Sequence, residues 1–159
     1  MNIPGLITIL YYIVFSIYIF LSVYVLSLNY KGRLNRLFSV TSFLMSLWAL
    51  GFAISASAIN PEQALIWRRV SAIGWSTVFS VIVHFIFILT NNLNSSKINI
   101  RKLSIIYIPV IINLLLFSLI TPIVNNQYNI SMSYFGYMNV PKNNLIDTYY
   151  NIYYISHLN

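Results

Sequence analysis

Two tryptophans and two adjacent arginines gather at the start of one predicted helix: Trp67, Arg68, Arg69 and Trp75. Guanidinium groups flanked by indole rings can hold an anionic or aromatic ligand through charge-assisted hydrogen bonds and cation–π contacts. The same residues are also typical of an interfacial anchor, because tryptophans and snorkelling arginines are enriched where a helix leaves the membrane. Glu62 lies at neither the three- nor the four-residue spacing from either arginine, so a partner must come from another element, a ligand or water.

The same helix carries a second set of polar residues. At about 100° per residue, Arg69, Ser76, Ser80 and His84 fall within roughly 80° of helix surface and form a polar stripe in an otherwise apolar span. A polar group that faces lipid is costly, so the polar stripe should face protein or water. His84 is the one group of the span that could titrate near neutral pH, which suits a proton or signal relay. The plainer interpretation is that the serines bond to their own helix and His84 bonds to a neighbouring helix.

Small residues on the preceding helix predict close packing. Ser42 and Ser46 share one face, and Gly51 lies on roughly the opposite face, so this helix is expected to pack between two neighbours. We assign Gly74 of the next helix to helix packing as well. Asn113 of the fourth helix is expected to form a hydrogen bond between helices.

The sequence lacks the residue patterns of common catalytic and metal sites. It contains no cysteine and only two acidic residues, Glu62 and Asp147, which excludes paired carboxylates and thiol chemistry. It has no glycine-rich phosphate-binding loop and no nucleophile elbow. No second potential ligand shares the face of His84, so no metal site is predicted. We therefore expect a chain that is not an enzyme and binds no cofactor.

The composition indicates an integral membrane protein. Of 159 residues, 58% are hydrophobic and only 7% are charged, whereas a soluble domain has about a quarter charged residues. The net charge of +7 raises the question of nucleic acid, but the basic residues form short clusters between apolar runs, as membrane topology requires. The lipid bilayer, and not nucleic acid, is the expected partner.

Four apolar stretches are long enough to cross a hydrocarbon core of about 30 Å as helices. We predict an all-α fold, a multi-pass transmembrane helix bundle that forms a single domain over residues 1–159. The predicted full spans are 6–28, 37–59, 66–90 and 103–120, with the start of a fifth helix at 149–159 and a polar outer loop at 121–148.

Local signals predict the start of the third helix and the orientation of the chain. Asn60 is expected to be its N-cap and Pro61 its first residue. Six basic residues follow the first and third spans, and three lie on the other side. The first group is Lys31, Arg33, Arg36, Lys97, Arg101 and Lys102; the second is Arg68, Arg69 and Lys142. The positive-inside rule therefore predicts an outside N-terminus in the plasma membrane.

Several stretches resemble the N-terminal seven-transmembrane region of histidine kinases. The runs from Trp67 to Trp75 and from His84 to Thr90 look like its third helix, and Trp48 to Phe52 is similar to its second. Tyr134 to Tyr137, followed by Tyr149 to Ser156, resembles its outer loop and fifth helix. The resemblance implies a bacterial sensory module that passes a signal to a cytoplasmic kinase or diguanylate cyclase domain in cis. It also implies an outside N-terminus, as the charge count does.

The chain departs from that pattern because it ends inside the fifth helix, so we expect a truncated receptor without its output domain. Neither His84 nor His157 lies in a phosphoacceptor context, and no Gly-Gly-Asp-Glu-Phe run is present. Only the sensing role is therefore implied, with a small extracellular or membrane-borne ligand. Two alternatives stay open: a small transporter or channel subunit, suggested by the polar stripe, and a structural partner of a membrane complex, suggested by the two small-residue faces.

Overall fold

The computed structural model describes residues 3–91, 100–119 and 126–158. Lys97 and the end of the predicted fourth span lie outside these ranges. Five helices and one β-hairpin have their bounds within these ranges, and residues 126–127 are helical as well. In chain order these are α1 (Ile3–Leu28), α2 (Arg33–Ala56), α3 (Pro61–Asn91), α4 (Ile100–Phe117), β1 (Ile130–Ser133), β2 (Gly136–Asn139) and α5 (Leu145–Leu158).

Three helices, α1, α2 and α3, are long and apolar enough to cross a membrane. The apolar part of α4 is shorter than these three helices and runs from Ser104 to Phe117. The prediction of four full spans is thus confirmed for three of them. The fourth helix ends at Phe117, before the predicted boundary at 120. At this end of the helix, the Phe117 carbonyl accepts a hydrogen bond from the Tyr128 hydroxyl at 2.9 Å.

The third helix begins at Pro61, the first residue that the Asn60–Pro61 pair predicts and five residues before the predicted span at 66–90. Its N-terminus is capped on both sides. The side-chain oxygen of Asn60 accepts a hydrogen bond from the Gln63 backbone N–H at 2.8 Å. In return, the Gln63 side-chain oxygen accepts one from the Ile59 N–H at 3.0 Å. This reciprocal arrangement satisfies the exposed donors at a helix start in the manner of a capping box.

The fold is helical as predicted, but the predicted outer loop at 121–148 contains a short β-hairpin. Strands β1 and β2 pair antiparallel from Ile130 opposite Asn139 to Ser133 opposite Gly136. The last helix also starts within the predicted loop, at Leu145 instead of 149. Its N-cap is Asn144, whose side-chain oxygen accepts the Asp147 N–H at 2.9 Å.

Helix α2 lies between α1 and α3, and its contact with α3 is close enough for the backbones to touch. A Cβ atom on Gly51 would lie 2.5 Å from the Ser71 Cβ, and one on Gly74 would lie 2.6 Å from the Leu44 carbonyl oxygen. Ser42 is buried on the same helix. The tight α2–α3 pair is the frame on which α4, α5 and the hairpin rest.

Candidate functional site

A cavity with a volume of about 230 Å³ lies where the hairpin meets the ends of four helices. We call it the hairpin cavity, and we call this end of the bundle the hairpin end. Helices α2 to α5, the end of β2 with the segment that follows it, and the segment before β1 all contribute residues to its wall. The wall consists of Phe52, Arg68, Ser71, Trp75, Phe117, Gln127, Tyr128, Asn139, Pro141, Asp147, Tyr150 and Asn151.

The hairpin reaches the helices through a glycine that no other residue could replace without movement. Gly136 has a positive φ of 96°, which only glycine adopts at little cost. A Cβ atom at this position would lie 2.2 Å from the Ala56 carbonyl oxygen. The start of β2 is therefore seated directly on the C-terminal end of α2.

Arg68 joins three elements at the cavity wall. Its Nε donates a hydrogen bond to the Ser55 hydroxyl on α2 at 3.0 Å, and its Nη2 donates one to the Tyr137 carbonyl on β2 at 3.1 Å. The guanidinium carbon also lies 4.1 Å from the centre of the Phe52 ring, a cation–π contact. These bonds leave other N–H groups of the guanidinium available. Arg68 lines a second, smaller cavity of about 160 Å³ as well, so it separates two cavities.

The buried charges of this region do not neutralise one another by direct contact. Arg69 is buried beside Arg68, and its Nε has no hydrogen-bond partner. Of the two acidic residues, Glu62 is exposed. The buried carboxylate of Asp147 accepts hydrogen bonds from the Gln127 amide at 2.7 Å and the Lys142 backbone N–H at 2.6 Å. In the part of the chain that the structure describes, neither guanidinium is paired with a carboxylate.

Aromatic rings form most of the apolar wall. The Trp75 indole contacts Phe117 and Tyr150 edge to face, each with ring centroids 5.2 Å apart. Tyr128 closes the wall, and its hydroxyl donates to the Phe117 carbonyl at 2.9 Å. Burial raises the pKa of the Tyr128 hydroxyl, so this group stays a neutral donor throughout the physiological pH range. The hairpin cavity therefore combines one cation, one carboxylate and an aromatic lining.

The polar stripe of α3 faces other helices along its length. The Ser76 carbonyl accepts a hydrogen bond from the Tyr153 hydroxyl at 3.0 Å, and the Ser80 hydroxyl donates to the Ile106 carbonyl at 2.7 Å. The latter bond lies in the turn of α4 that is weakened by Pro109, where serine side chains commonly satisfy backbone groups.

His84 lies far from the hairpin cavity, about 24 Å from Arg68 along the helix axis. Its Nδ1 is 2.9 Å from the Tyr107 hydroxyl of α4. Among the described residues, no cluster of His, Asp and Glu could hold a metal ion. The sequence grouped His84 with the arginines, but the structure places it at the other end of α3.

The structure thus divides the residues that the sequence singled out. Arg68 and Trp75 line the hairpin cavity, and Arg69 is buried beside it. Trp67 is half-buried and does not line the cavity. The residues assigned to packing lie in helix interfaces: Ser42, Ser46, Gly51 and Gly74 are buried between helices, and Asn113 is completely buried on α4 next to Tyr153.

Sequence reasoning missed most of the cavity wall. Phe52, Tyr128 and Tyr150 belong to three separate segments, and their residue type is too common in this chain to single them out. Tyr137 contributes its backbone carbonyl, which no side-chain pattern reveals. Asp147 did carry a signal, because it is one of only two acidic residues in the chain and stands three residues after a potential N-cap.

Comparison with known proteins identifies the family. A family model, HisKA_7TM, described as the N-terminal 7TM region of histidine kinase, matches residues 10–157. Neither the comparison with curated proteins nor that with solved structures gave a match. The family match covers nearly all of the chain and agrees with its apolar, membrane-spanning helices. The chain therefore belongs to the N-terminal 7TM region of histidine kinase, a membrane-embedded, non-catalytic sensory input region.

Proposed function

We propose that the hairpin cavity is the ligand site of this sensory module. The observation that carries the proposal is that α2, α3, α4, α5 and the hairpin all contribute to one cavity wall. A ligand shifts a conformational equilibrium only through different affinities for its two states. A site shared by this many elements meets that condition, because any movement between them changes its shape.

Arg68 is the residue through which binding would move the hairpin. It is bonded to α2 through Ser55 and to β2 through the Tyr137 carbonyl. A ligand that draws the guanidinium into the hairpin cavity would compete with both bonds. Binding would then loosen the contact between the hairpin and the α2–α3 pair.

We further propose that the hairpin end faces the outside of the plasma membrane. Two of the three basic residues counted on this side, Arg68 and Arg69, are buried in the bundle and do not act as loop charges. Lys142 stays exposed there, while Lys31 and Arg33 are exposed at the opposite end. Burial therefore strengthens the charge asymmetry on which the positive-inside rule rests.

On this model α3 connects the ligand site with the inner side of the membrane. The helix bonds to α5 through the Ser76 backbone carbonyl and to α4 through the side chains of Ser80 and His84. A shift of α3 would change these bonds one after another, down to the His84–Tyr107 pair. The kinase or cyclase output domain in cis would receive the shift from the helices at that side.

The test joins the chain to a histidine kinase output domain and measures autophosphorylation in lipid vesicles. Asn151 is exposed and lines the hairpin cavity, so Asn151→Trp places a large ring at its edge without disturbing the core. Ile152 is 61% exposed and does not line the cavity, so Ile152→Trp is the matched control. We expect Asn151→Trp to change the autophosphorylation rate and Ile152→Trp to leave it unchanged. Equal rates for both variants and the unaltered protein would show that the cavity has no sensory role.

A small transporter is a second candidate, because some buried polar atoms along α3 lack partners. Arg69 Nε, Ser76 Oγ and His84 Nε2 have no hydrogen-bond partner among the residues that the structure describes, which is typical of positions that hold internal water. Proton uptake by liposomes with an enclosed pH-sensitive dye tests this alternative. Uptake above that of protein-free liposomes, and lost in Ser76→Leu, would favour transport over sensing.

A further inference from the structure

The charged residues around the hairpin cavity favour a ligand with a negative charge. This inference rests on the proposed function, in which the cavity is the ligand site. Two guanidinium groups, Arg68 and Arg69, and one carboxylate, Asp147, are buried in this region, and Arg68 and Asp147 line the cavity. An uncompensated buried cation is costly, and a bound anion removes that cost. Asp147 does not supply the compensation by contact: among the described residues it is paired with neither guanidinium, and its oxygens accept hydrogen bonds from Gln127 and the Lys142 backbone instead.

The size and the lining of the cavity restrict the rest of the ligand. An apolar cavity of about 150 Å³ holds one benzene ring, and the hairpin cavity of about 230 Å³ leaves room for a short polar arm. Trp75, Phe117 and Tyr150 offer ring edges and faces on its apolar side. Rings pack well against such a wall in edge-to-face or offset geometry.

The carboxylate of Asp147 excludes a second negative group. It lies on the same wall as Arg68, and like charges brought together inside a protein repel strongly because screening there is weak. A ligand with a single anionic group can reach Arg68 and keep its ring away from Asp147. In a cavity of this size, a ligand with two anionic groups cannot bring one of them to Arg68 and keep the rest of the molecule away from Asp147.

We propose that the hairpin cavity binds a small aromatic monocarboxylate. Its carboxylate accepts hydrogen bonds from the N–H groups of Arg68 that Ser55 and Tyr137 leave available, and its ring lies against Trp75 and Tyr150. Because the same guanidinium holds the hairpin through the Tyr137 carbonyl, a carboxylate that draws it into the cavity weakens that bond, which links this chemistry to the movement proposed above.

The experiment measures binding of four probes to the intact chain in phosphatidylcholine nanodiscs by isothermal titration calorimetry. Phenylacetate carries the aromatic ring and a single carboxylate. Phenylacetamide lacks the charge, acetate lacks the ring, and phenylmalonate adds a second carboxylate. We expect phenylacetate to bind at least about tenfold more tightly than each of the others. If phenylacetamide binds as tightly as phenylacetate, the ligand does not need a negative charge and the proposal is wrong. If acetate binds as tightly as phenylacetate, the ligand does not need a ring and the proposal is likewise wrong.

Variants locate the site. Arg68→Gln is expected to weaken phenylacetate binding at least about tenfold, and Asn151→Trp is expected to block it. Arg33→Gln, exposed at the opposite end of the bundle, is the control and should bind as the unaltered protein does. Unchanged binding in both Arg68→Gln and Asn151→Trp would overturn the proposal. If Arg68→Gln does not fold, the proposal is still tested by the four probes and by Asn151→Trp.

Three further outcomes show whether this inference, the proposed function or both fail. If phosphatidylglycerol nanodiscs abolish phenylacetate binding at a salt concentration that screens their surface charge, an anionic lipid headgroup occupies the site, and the small-carboxylate proposal is wrong. If phenylacetate does not bind but Asn151→Trp alters autophosphorylation, the ligand class is wrong and the sensory role of the cavity stands. If neither effect is found, both proposals fail.

Discussion

The bond between Arg68 and Ser55 predicts a large effect from a small substitution, Ser55→Ala. Ser55 is completely buried (0% exposed), and its hydroxyl accepts the Arg68 Nε–H at 3.0 Å. Hydrogen bonds to charged groups contribute about 1.5–3 kcal/mol, whereas side-chain hydrogen bonds between membrane helices average about 0.6 and reach about 1.7 kcal/mol. Because the donor is a buried cation, we place Ser55→Ala where the two ranges meet, at a loss of about 1.5 kcal/mol.

The free energy of unfolding is measured on the purified full chain in mixed micelles, by titration with sodium dodecyl sulfate and detection by circular dichroism. Ser57→Ala is the matched control, since it lies two residues further along the chain, at the C-cap of α2, and changes the same atoms. The Ser57 hydroxyl is exposed and bonds back to carbonyls of its own helix, at Ala53 and Ile54. Its loss should cost less than about 0.5 kcal/mol, as is usual for exposed positions.

A double-mutant cycle isolates the pair from other effects of the substitution. In an Arg68→Met background the donor is absent, so Ser55→Ala should then cost less than about 0.5 kcal/mol. An equal cost of Ser55→Ala in both backgrounds would refute the reasoning, because the hydroxyl would then act through packing and not through Arg68. The same conclusion would follow if Ser55→Ala and Ser57→Ala were indistinguishable.

Three further predictions concern the hairpin, the helix interface and the orientation. Gly136→Ala puts a Cβ atom into the carbonyl at the end of α2 at a positive φ, so we expect faster proteolysis of the hairpin and a loss of at least about 1 kcal/mol. Ser80→Ala should destabilise by about 0.6–1.7 kcal/mol in the same unfolding assay, while Ser16→Ala, whose exposed hydroxyl bonds within α1, should have no measurable effect; equal losses would contradict the bond to α4. The chain has no cysteine, so an impermeant maleimide should label Tyr134→Cys on intact cells and Tyr30→Cys only after permeabilisation. The reverse pattern would overturn the orientation.

Features that depend on neighbours along the chain could be predicted from the sequence. Length and hydropathy identified α1, α2 and α3 as spans, because lipid demands about 20 apolar residues in a helix whatever surrounds them. The start of α3 was predictable because Asn60 and Gln63 cap backbone groups only a few residues away. The Trp67 to Trp75 run also carried the family resemblance that the family model confirms.

Features that depend on contacts between distant segments were decided by the tertiary structure. Arg68 bonds to Ser55, thirteen residues away, and to Tyr137, sixty-nine residues away; no local rule connects these positions. The hairpin was missed because four-residue strands in a polar segment leave little periodic signal. It is stabilised where Gly136 meets the end of α2, a contact that only folding creates.

The sequence by itself determined that this protein is a membrane sensory module with two arginines and two tryptophans near one end of its third helix. It did not determine which of them share a cavity, because apolar residues around a membrane helix suit lipid and protein alike. The rotation of α3 against α2, fixed by the close contacts at Gly51 and Gly74, places Arg68 and Trp75 on the cavity wall and His84 against α4. That rotation is a property of packing between helices, and therefore only the tertiary structure could assemble the site.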